Sequence, residues 1–310
     1  MRRDTGIWEQ NTMDICPLRG REVLSSLAET YPQLYLAPGG RSPEIYKKIV
    51  QYGQDAPSHS LAHFSGCEDD VLELEVTPTG AVPVITLCDR GDFERFLQLM
   101  AFRAEAVPVP RTQGAAILDG VINWRKIRAH EKEFRAANGP QADWESEFVR
   151  FTSDRANFKD ALILLSRGPY SAVPASALGL DEDAWLALSH VIRKAHECTH
   201  FICRRLFPDK KDAVWDELTA DAVGIRAAFG RYDAALAERF LGISQSGYTG
   251  GRLENYMSGE EDRQERLNAL ADKIRVTLRH LEKIIADAGD MGPYDLAIRL
   301  EEEFECWKQP

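Results

Sequence analysis

The stretch Asp181-Glu182-Asp183-Ala184-Trp185-Leu186-Ala187-Leu188-Ser189-His190-Val191-Ile192-Arg193-Lys194-Ala195-His196-Glu197-Cys198-Thr199-His200-Phe201-Ile202-Cys203-Arg204-Arg205-Leu206 decides how the chain is read. It holds no Pro and no Gly. Trp185, Leu186, Leu188, Val191, Ile192 and Ala195 before the central His-Glu-Cys-Thr-His, and Ile202 and Leu206 after it, supply the apolar residues of one long helix. On a helix, residues four apart lie on one face about one turn apart. His196 and His200 can therefore reach one metal ion, while Glu197 projects beside them toward an open coordination position.

The next segment, Lys211 to Phe229, also reads as helix and carries Asp216-Glu217-Leu218-Thr219-Ala220-Asp221-Ala222-Val223-Gly224. Phe207-Pro208-Asp209 allows it to fold back antiparallel to the first. Glu217 and Asp221 are four apart and share a face. Glu217 is positioned to give a third, anionic ligand. Asp221 can accept a hydrogen bond from the far nitrogen of a ligand histidine and fix its tautomer. Ala220 and Gly224 are small and permit a close approach of the two helices.

H-E-x-x-H followed on the next helix by E-x-x-A-D-x-x-G resembles the gluzincin group of zinc metallopeptidases, over about Asp181 to Phe229. The resemblance implies a Zn2+ ion held by His196, His200 and Glu217, with Glu197 as general base and Asp221 supporting a ligand. It also implies a zincin-like fold for the C-terminal half and a peptide or protein substrate. Two departures stand out. The spacing from His200 to Glu217 is tighter than in many of these enzymes, which implies a shorter connection. The extended pattern with Gly and a third His is absent, since Cys203 and Leu206 occupy those positions.

Two imidazoles and one carboxylate leave zinc a net positive charge and room for a water of lowered pKa. Glu197 can take the water's proton and pass it to a leaving amine. The expected activity is a zinc-dependent hydrolase, a metallopeptidase using metal-activated water. The alternative is a catalytically silent zinc-binding scaffold or sensor, and the presence of Glu197 argues against it because a purely structural zinc has no need of a base. Such a structural site would be closed by a fourth protein ligand, with Cys203 the first suspect. Cys198 points away from the metal face and reads as packing. For the developing oxyanion, Arg252 and Tyr256 are the candidates, just after the Gly-rich stretch Ser246 to Gly251. His190, His59, His63, His130 and His280 have no partner at metal-site spacing.

Outward from the motif, Arg231 to Leu241, about Glu260 to Asp287 and a short acidic terminal segment read as further helices. The N-terminal half is mixed. Helices are expected over Arg21–Thr30, Ser42–Tyr52, Asp92–Phe102 and Asn123–Ala137. Val71–Val76 alternates apolar and acidic residues and pairs across Thr79-Gly80 with Val82–Leu87 as a β-hairpin. Ala161–Leu165 reads as a buried strand, although an edge strand that pairs with an extended peptide would read similarly. The fold class is α+β. The break Val107-Pro108-Val109-Pro110 divides the chain into a mixed α/β region, residues 1–110, of unassigned role, and a zincin-like metallopeptidase domain, residues 111–310.

Composition sets limits. The formal net charge of -11 disfavours a nucleic-acid partner, whose recognition needs phosphate neutralisation. No stretch approaches the roughly 20 apolar residues of a membrane span, and no signal peptide opens the chain. A cytoplasmic protein is expected, with its six cysteines as reduced thiols.

Overall fold

The computed structural model describes residues 17–40, 42–54, 60–111, 113–210, 212–257 and 262–304; Cys16, His59, Lys211, Glu260 and Cys306 lie outside them. The fold is α+β, with a mixed five-stranded sheet in the N-terminal half and helices in the C-terminal half. Among the described residues no helix is long and apolar enough to cross a membrane. The chain divides into two compact units, the first formed by residues 1–76, 80–110 and 116–166, the second by 77–79, 111–115 and 167–310.

The first unit is built on the strand order β1-β2-β3-β5-β4, with β1 Leu18–Arg19, β2 Val71–Thr77, β3 Gly80–Leu87, β4 Ala115–Ile122 and β5 Lys159–Ser166. β1 runs antiparallel to β2, and β3 runs parallel to β5 in the register Val84↔Ile163 to Leu87↔Ser166. The hairpin expected from Val71 to Leu87 is present. β5 lies inside the sheet, and Leu162 to Ser166 are all buried. That two-sided burial explains an apolar run with no alternation and makes β5 a core strand. The edge position belongs to β4, where Asp119 and Gly120 break any apolar pattern.

The helices of this unit are α1 Glu22–Thr30, α2 Pro43–Tyr46, α3 Arg90–Met100, α4 Trp124–Asn138 and α5 Trp144–Thr152. Ser42 caps α2 by accepting the N–H of Ile45, and Lys47–Gln51 continues it in π-helical form, so Ser42–Tyr52 is one helical stretch. Buried Phe93, Phe96 and Leu97 on α3 join Leu24 and Leu27 on α1 and Leu162 and Leu164 on β5 in one core.

The division between units falls elsewhere than at Pro110. The chain leaves the first unit there, but β4 and β5 return it to the same sheet, so residues 116–166 belong with the N-terminal part. A proline break marks a local crossing. The strand pairing that decides membership is long-range and leaves no local mark.

The second unit contains α6 Glu182–Leu206, α7 Ala213–Phe229, α8 Ala234–Leu241, α9 Arg263–Asp287 and α10 Pro293–Glu301, with a small antiparallel pair β6 Ile243–Ser244 and β7 Gly247–Tyr248. Asp181 caps α6 through the N–H of Ala184, and Glu182 and Asp183 occupy its first turn against Arg204 and Arg205 in its last. Asp212 caps α7 by accepting from Val214 and Trp215, and Gly230, at φ 70°, closes it in the left-handed region.

α6 and α7 cross closely at Gly224. A Cβ placed there would stand 2.8 Å from the backbone oxygen of Ile192. Glu217 meets α6 at His196 and His200 and Gly224 meets it at Ile192, so the two helices are antiparallel. Gly224→Ala gains at most about 1 kcal/mol of helix propensity. It must, however, displace a backbone carbonyl in a packed core, which costs about 1–3 kcal/mol. A lower urea midpoint at unchanged slope is therefore expected, and a midpoint equal to wild type would show that the helices separate freely.

Candidate metal centre

His196 and His200 point their Nε2 atoms at each other, 3.1 Å apart. Glu217 on α7 spans the pair, with Oε2 at 3.4 Å from His196 Nε2 and Oε1 at 3.4 Å from His200 Nε2. Donors bound tetrahedrally to zinc at about 2.0–2.1 Å stand about 3.3–3.4 Å from one another. The imidazole–imidazole and imidazole–carboxylate separations are close to that spacing, with each carboxylate oxygen facing one imidazole, and the donor set of two imidazoles and a carboxylate suits the ion. Among the described residues no fourth His, Cys, Asp or Glu joins the group. Cys203 faces elsewhere, lining a different cavity with Asp216 and Glu301, and burial, then the charge of Glu301, push its thiol up. Cys198 is fully buried in the packing of α6.

The back of the site is a hydrogen-bonded cluster. Asp221, one turn beyond Glu217, places Oδ1 3.0 Å from His196 Nδ1. An Nδ1–H donated there leaves the Nε2 lone pair free for a metal. The Tyr170 hydroxyl donates to Asp221 at 2.6 Å and lies 3.0 Å from the same Nδ1. Arg252 donates from Nη1 to the Tyr170 hydroxyl at 2.8 Å and from Nη2 to Asp221 Oδ2. Burial tends to raise the Asp221 carboxyl, but the Arg252 charge and His196 hold it down at about 2. His200 has a longer contact, with its Nδ1 4.0 Å from Asp216 Oδ2.

α6 itself positions Tyr170. Ser189 Oγ accepts the Tyr170 N–H at 2.9 Å, and Arg193 donates to the carbonyls of Gly168 at 2.5 Å and Pro169 at 2.8 Å. Ser189, Arg193 and His196 follow the i, i+4, i+7 spacing of one helix face. The turn they hold is strained, because Ser171 and Ala172 have φ of 50° and 56°.

Glu197, nearly buried, lines a cavity of about 150 Å³ together with His196, Glu217, Tyr170, Ser171, Arg193, Arg252 and residues 113–115. The structure thus brings His196, Glu197, His200, Glu217, Asp221 and Arg252 together. Arg252 enters the cluster with both terminal nitrogens committed to Asp221 and Tyr170, which makes it a positioning group for Asp221. Tyr256 is placed differently: burial first, with the charges of Glu217 and Asp221 adding to it against Arg252, pushes its hydroxyl up. Two polar atoms of cavity-lining residues have no hydrogen-bond partner among the described residues, Ser171 Oγ and Arg252 Nε.

Tyr170 and Asp216 are the site residues that sequence reasoning misses. Asp216 adjoins Glu217, and that adjacency is a signal that could flag it. Tyr170 comes from a turn far upstream of His196, where no spacing rule reaches. His130 bonds Glu147 at 2.5 Å, His63 packs against Phe64, and His280 lies 3.9 Å from Glu303.

The charge balance gives a direct test. Burial alone would lower the His196 pKa, but Asp221 and Glu217 outweigh it and push it up to about 10. The same partnership brings Glu217 far below the usual carboxylate range, against the effect of burial. Protein stripped with a chelator therefore holds a proton on His196 at neutral pH, and zinc must displace it. With the cysteines alkylated so that only this centre loads, titration calorimetry in buffers of different protonation enthalpy is expected to record proton release on zinc binding, with affinity rising as pH rises toward 10. No proton release would contradict the pairing.

Fold and site together describe an α+β protein whose helical unit carries a His-His-Glu group able to hold a metal ion. The chain belongs to the Family of unknown function (DUF7005), whose model matches residues 8–292. No curated protein and no solved structure matches it.

Proposed function

We propose that the chain is a zinc-dependent hydrolase, in the simplest reading a metallopeptidase. The observation that carries this is the convergence of His196 Nε2, His200 Nε2 and the Glu217 carboxylate at 3.1–3.4 Å, with Glu197 on the wall of the same cavity. Bound there, Zn2+ supplies Lewis acidity toward a carbonyl oxygen and lowers the pKa of water. Glu197 receives the proton from the attacking water and returns it to the leaving amine. Asp221 keeps His196 in the tautomer that exposes Nε2, and Arg252 and Tyr170 hold Asp221 in place. Ser171 Oγ and Arg252 Nε are the groups with hydrogen-bonding capacity left for a substrate. The small cavity favours a substrate presented as a narrow, extended segment such as a peptide.

The test is elemental analysis of protein purified without chelator, followed by a peptide-library assay. About one zinc per chain at this centre is expected in wild type, with marked loss in His196→Ala and Glu217→Ala. Zinc absent from wild type even after reconstitution would sink the reading. Zinc retained with no hydrolysis of any peptide would replace it with a silent zinc protein.

A further inference from the structure

A second group of ligand-type side chains meets in the first unit, at the open end of the β2–β3 hairpin. Asp70 immediately precedes β2 and Cys88 immediately follows β3, while Cys67 lies in the turn leading into Asp70. The two sulfurs and a carboxylate oxygen of Asp70 all lie within 4.8 Å of one another. Both thiols are half-buried, so an ion can reach them, whereas Asp70 has no exposed surface.

The carboxylate is fixed by the residues that carry the thiols. Asp70 Oδ2 accepts the backbone N–H of Cys67 at 3.0 Å, and Oδ1 accepts that of Cys88 at 2.8 Å. The three donors are therefore held in mutual register by main chain. Each carboxylate oxygen keeps a second lone pair for a further partner.

Asp70 is also a buried anion short of positive charge. Among the described residues it pairs with no cationic side chain, and the charges that act on it, Asp92 and Asp89, have its own sign. Burial, with those like charges adding to it, pushes its carboxyl up against the two backbone hydrogen bonds it accepts. Isolated buried carboxylates are costly, and metal coordination is one of the few ways to settle them. Two sulfurs and one oxygen select a thiophilic, borderline-soft divalent ion over magnesium or calcium.

We propose that Cys67, Asp70 and Cys88 form a second metal site, taking Zn2+ or a chemically similar thiophilic divalent cation and fastening the hairpin's open end. Sulfurs sharing a tetrahedral zinc stand about 3.8 Å apart, so closing the site needs side-chain movement of at most about an ångström. On loading, two S–metal bonds replace two S–H bonds and two protons leave to solvent. The site is independent of the His-His-Glu centre, which has no sulfur ligand.

Cobalt separates the two centres. Reduced full-length protein is titrated with Co2+ and followed for the near-ultraviolet thiolate-to-cobalt charge-transfer band, which a His-His-Glu centre cannot give. The band is expected in wild type and in Glu217→Ala, and is expected to be lost in Cys67→Ser and in Cys88→Ser. Each serine variant should also lose about one zinc per chain. No band in wild type, or one that survives both serine substitutions, overturns the proposal. A second measurement needs no variant: Zn2+ should slow iodoacetamide alkylation of Cys67 and Cys88 at least about tenfold, reversed by chelator. Alkylation at these two residues unchanged by Zn2+ likewise overturns it.

Discussion

Glu197→Gln is expected to lower turnover about 10²–10⁴-fold, while zinc at the His196, His200 and Glu217 centre stays at about one per chain. The expected size comes from what the substitution removes. Glutamine keeps the shape of the side chain on the cavity wall but cannot take a proton. The candidate ligand atoms belong to other residues, with the two imidazoles 3.1 Å apart and each 3.4 Å from one oxygen of Glu217. Loss of zinc in Glu197→Gln would mean that Glu197 braces the site, and undiminished hydrolysis would remove it from the chemistry. Elemental analysis and kcat measured on the same preparation decide between these outcomes.

Asp221→Asn is expected to destabilise the fold by about 3–5 kcal/mol and to weaken zinc binding about 10–100-fold. Asp221 is 1% exposed and Arg252 14%, so the substitution strands a guanidinium in the interior without its counter-charge. Asparagine also accepts the His196 Nδ1–H less strongly, which loosens the hold on its tautomer. The two effects separate in a double variant. Asp221→Asn with Arg252→Met removes the stranded charge and should recover much of the urea midpoint, yet zinc affinity should stay low. Full recovery of zinc affinity would show that Asp221 acts only through Arg252.

The helix pair is legible in the sequence because its signals are local. An apolar pattern unbroken by Pro or Gly marks the first helix, and His196 with His200 and Glu217 with Asp221 are pairs at one-turn spacing. The hairpin at Thr79-Gly80 is legible for the same reason, a turn between two strand patterns. What escapes reading depends on contacts distant in sequence. The parallel pairing of β3 with β5 moves residues 116–166 into the first unit. Tyr170 reaches His196 only because Ser189 and Arg193 hold its turn. Arg252 reads from sequence as a candidate donor, but its partner Asp221 lies on another helix, and that partner decides its role. Cys67 and Cys88 are scattered along the chain, and only the hairpin brings them together.

The cluster behind His196 draws on Tyr170, Asp221 and Arg252, side chains from three separate stretches of the second unit. During synthesis the two histidines and Glu217 emerge well before Arg252. Until that arginine arrives, Asp221 is an anion with no counter-charge, and the helix pair is poorly suited to bury it. The centre is thus completed late, by the segment after the small β6–β7 pair. On the proposed hydrolase reading, the cluster that supports His196 is therefore incomplete until the chain through Arg252 has been made.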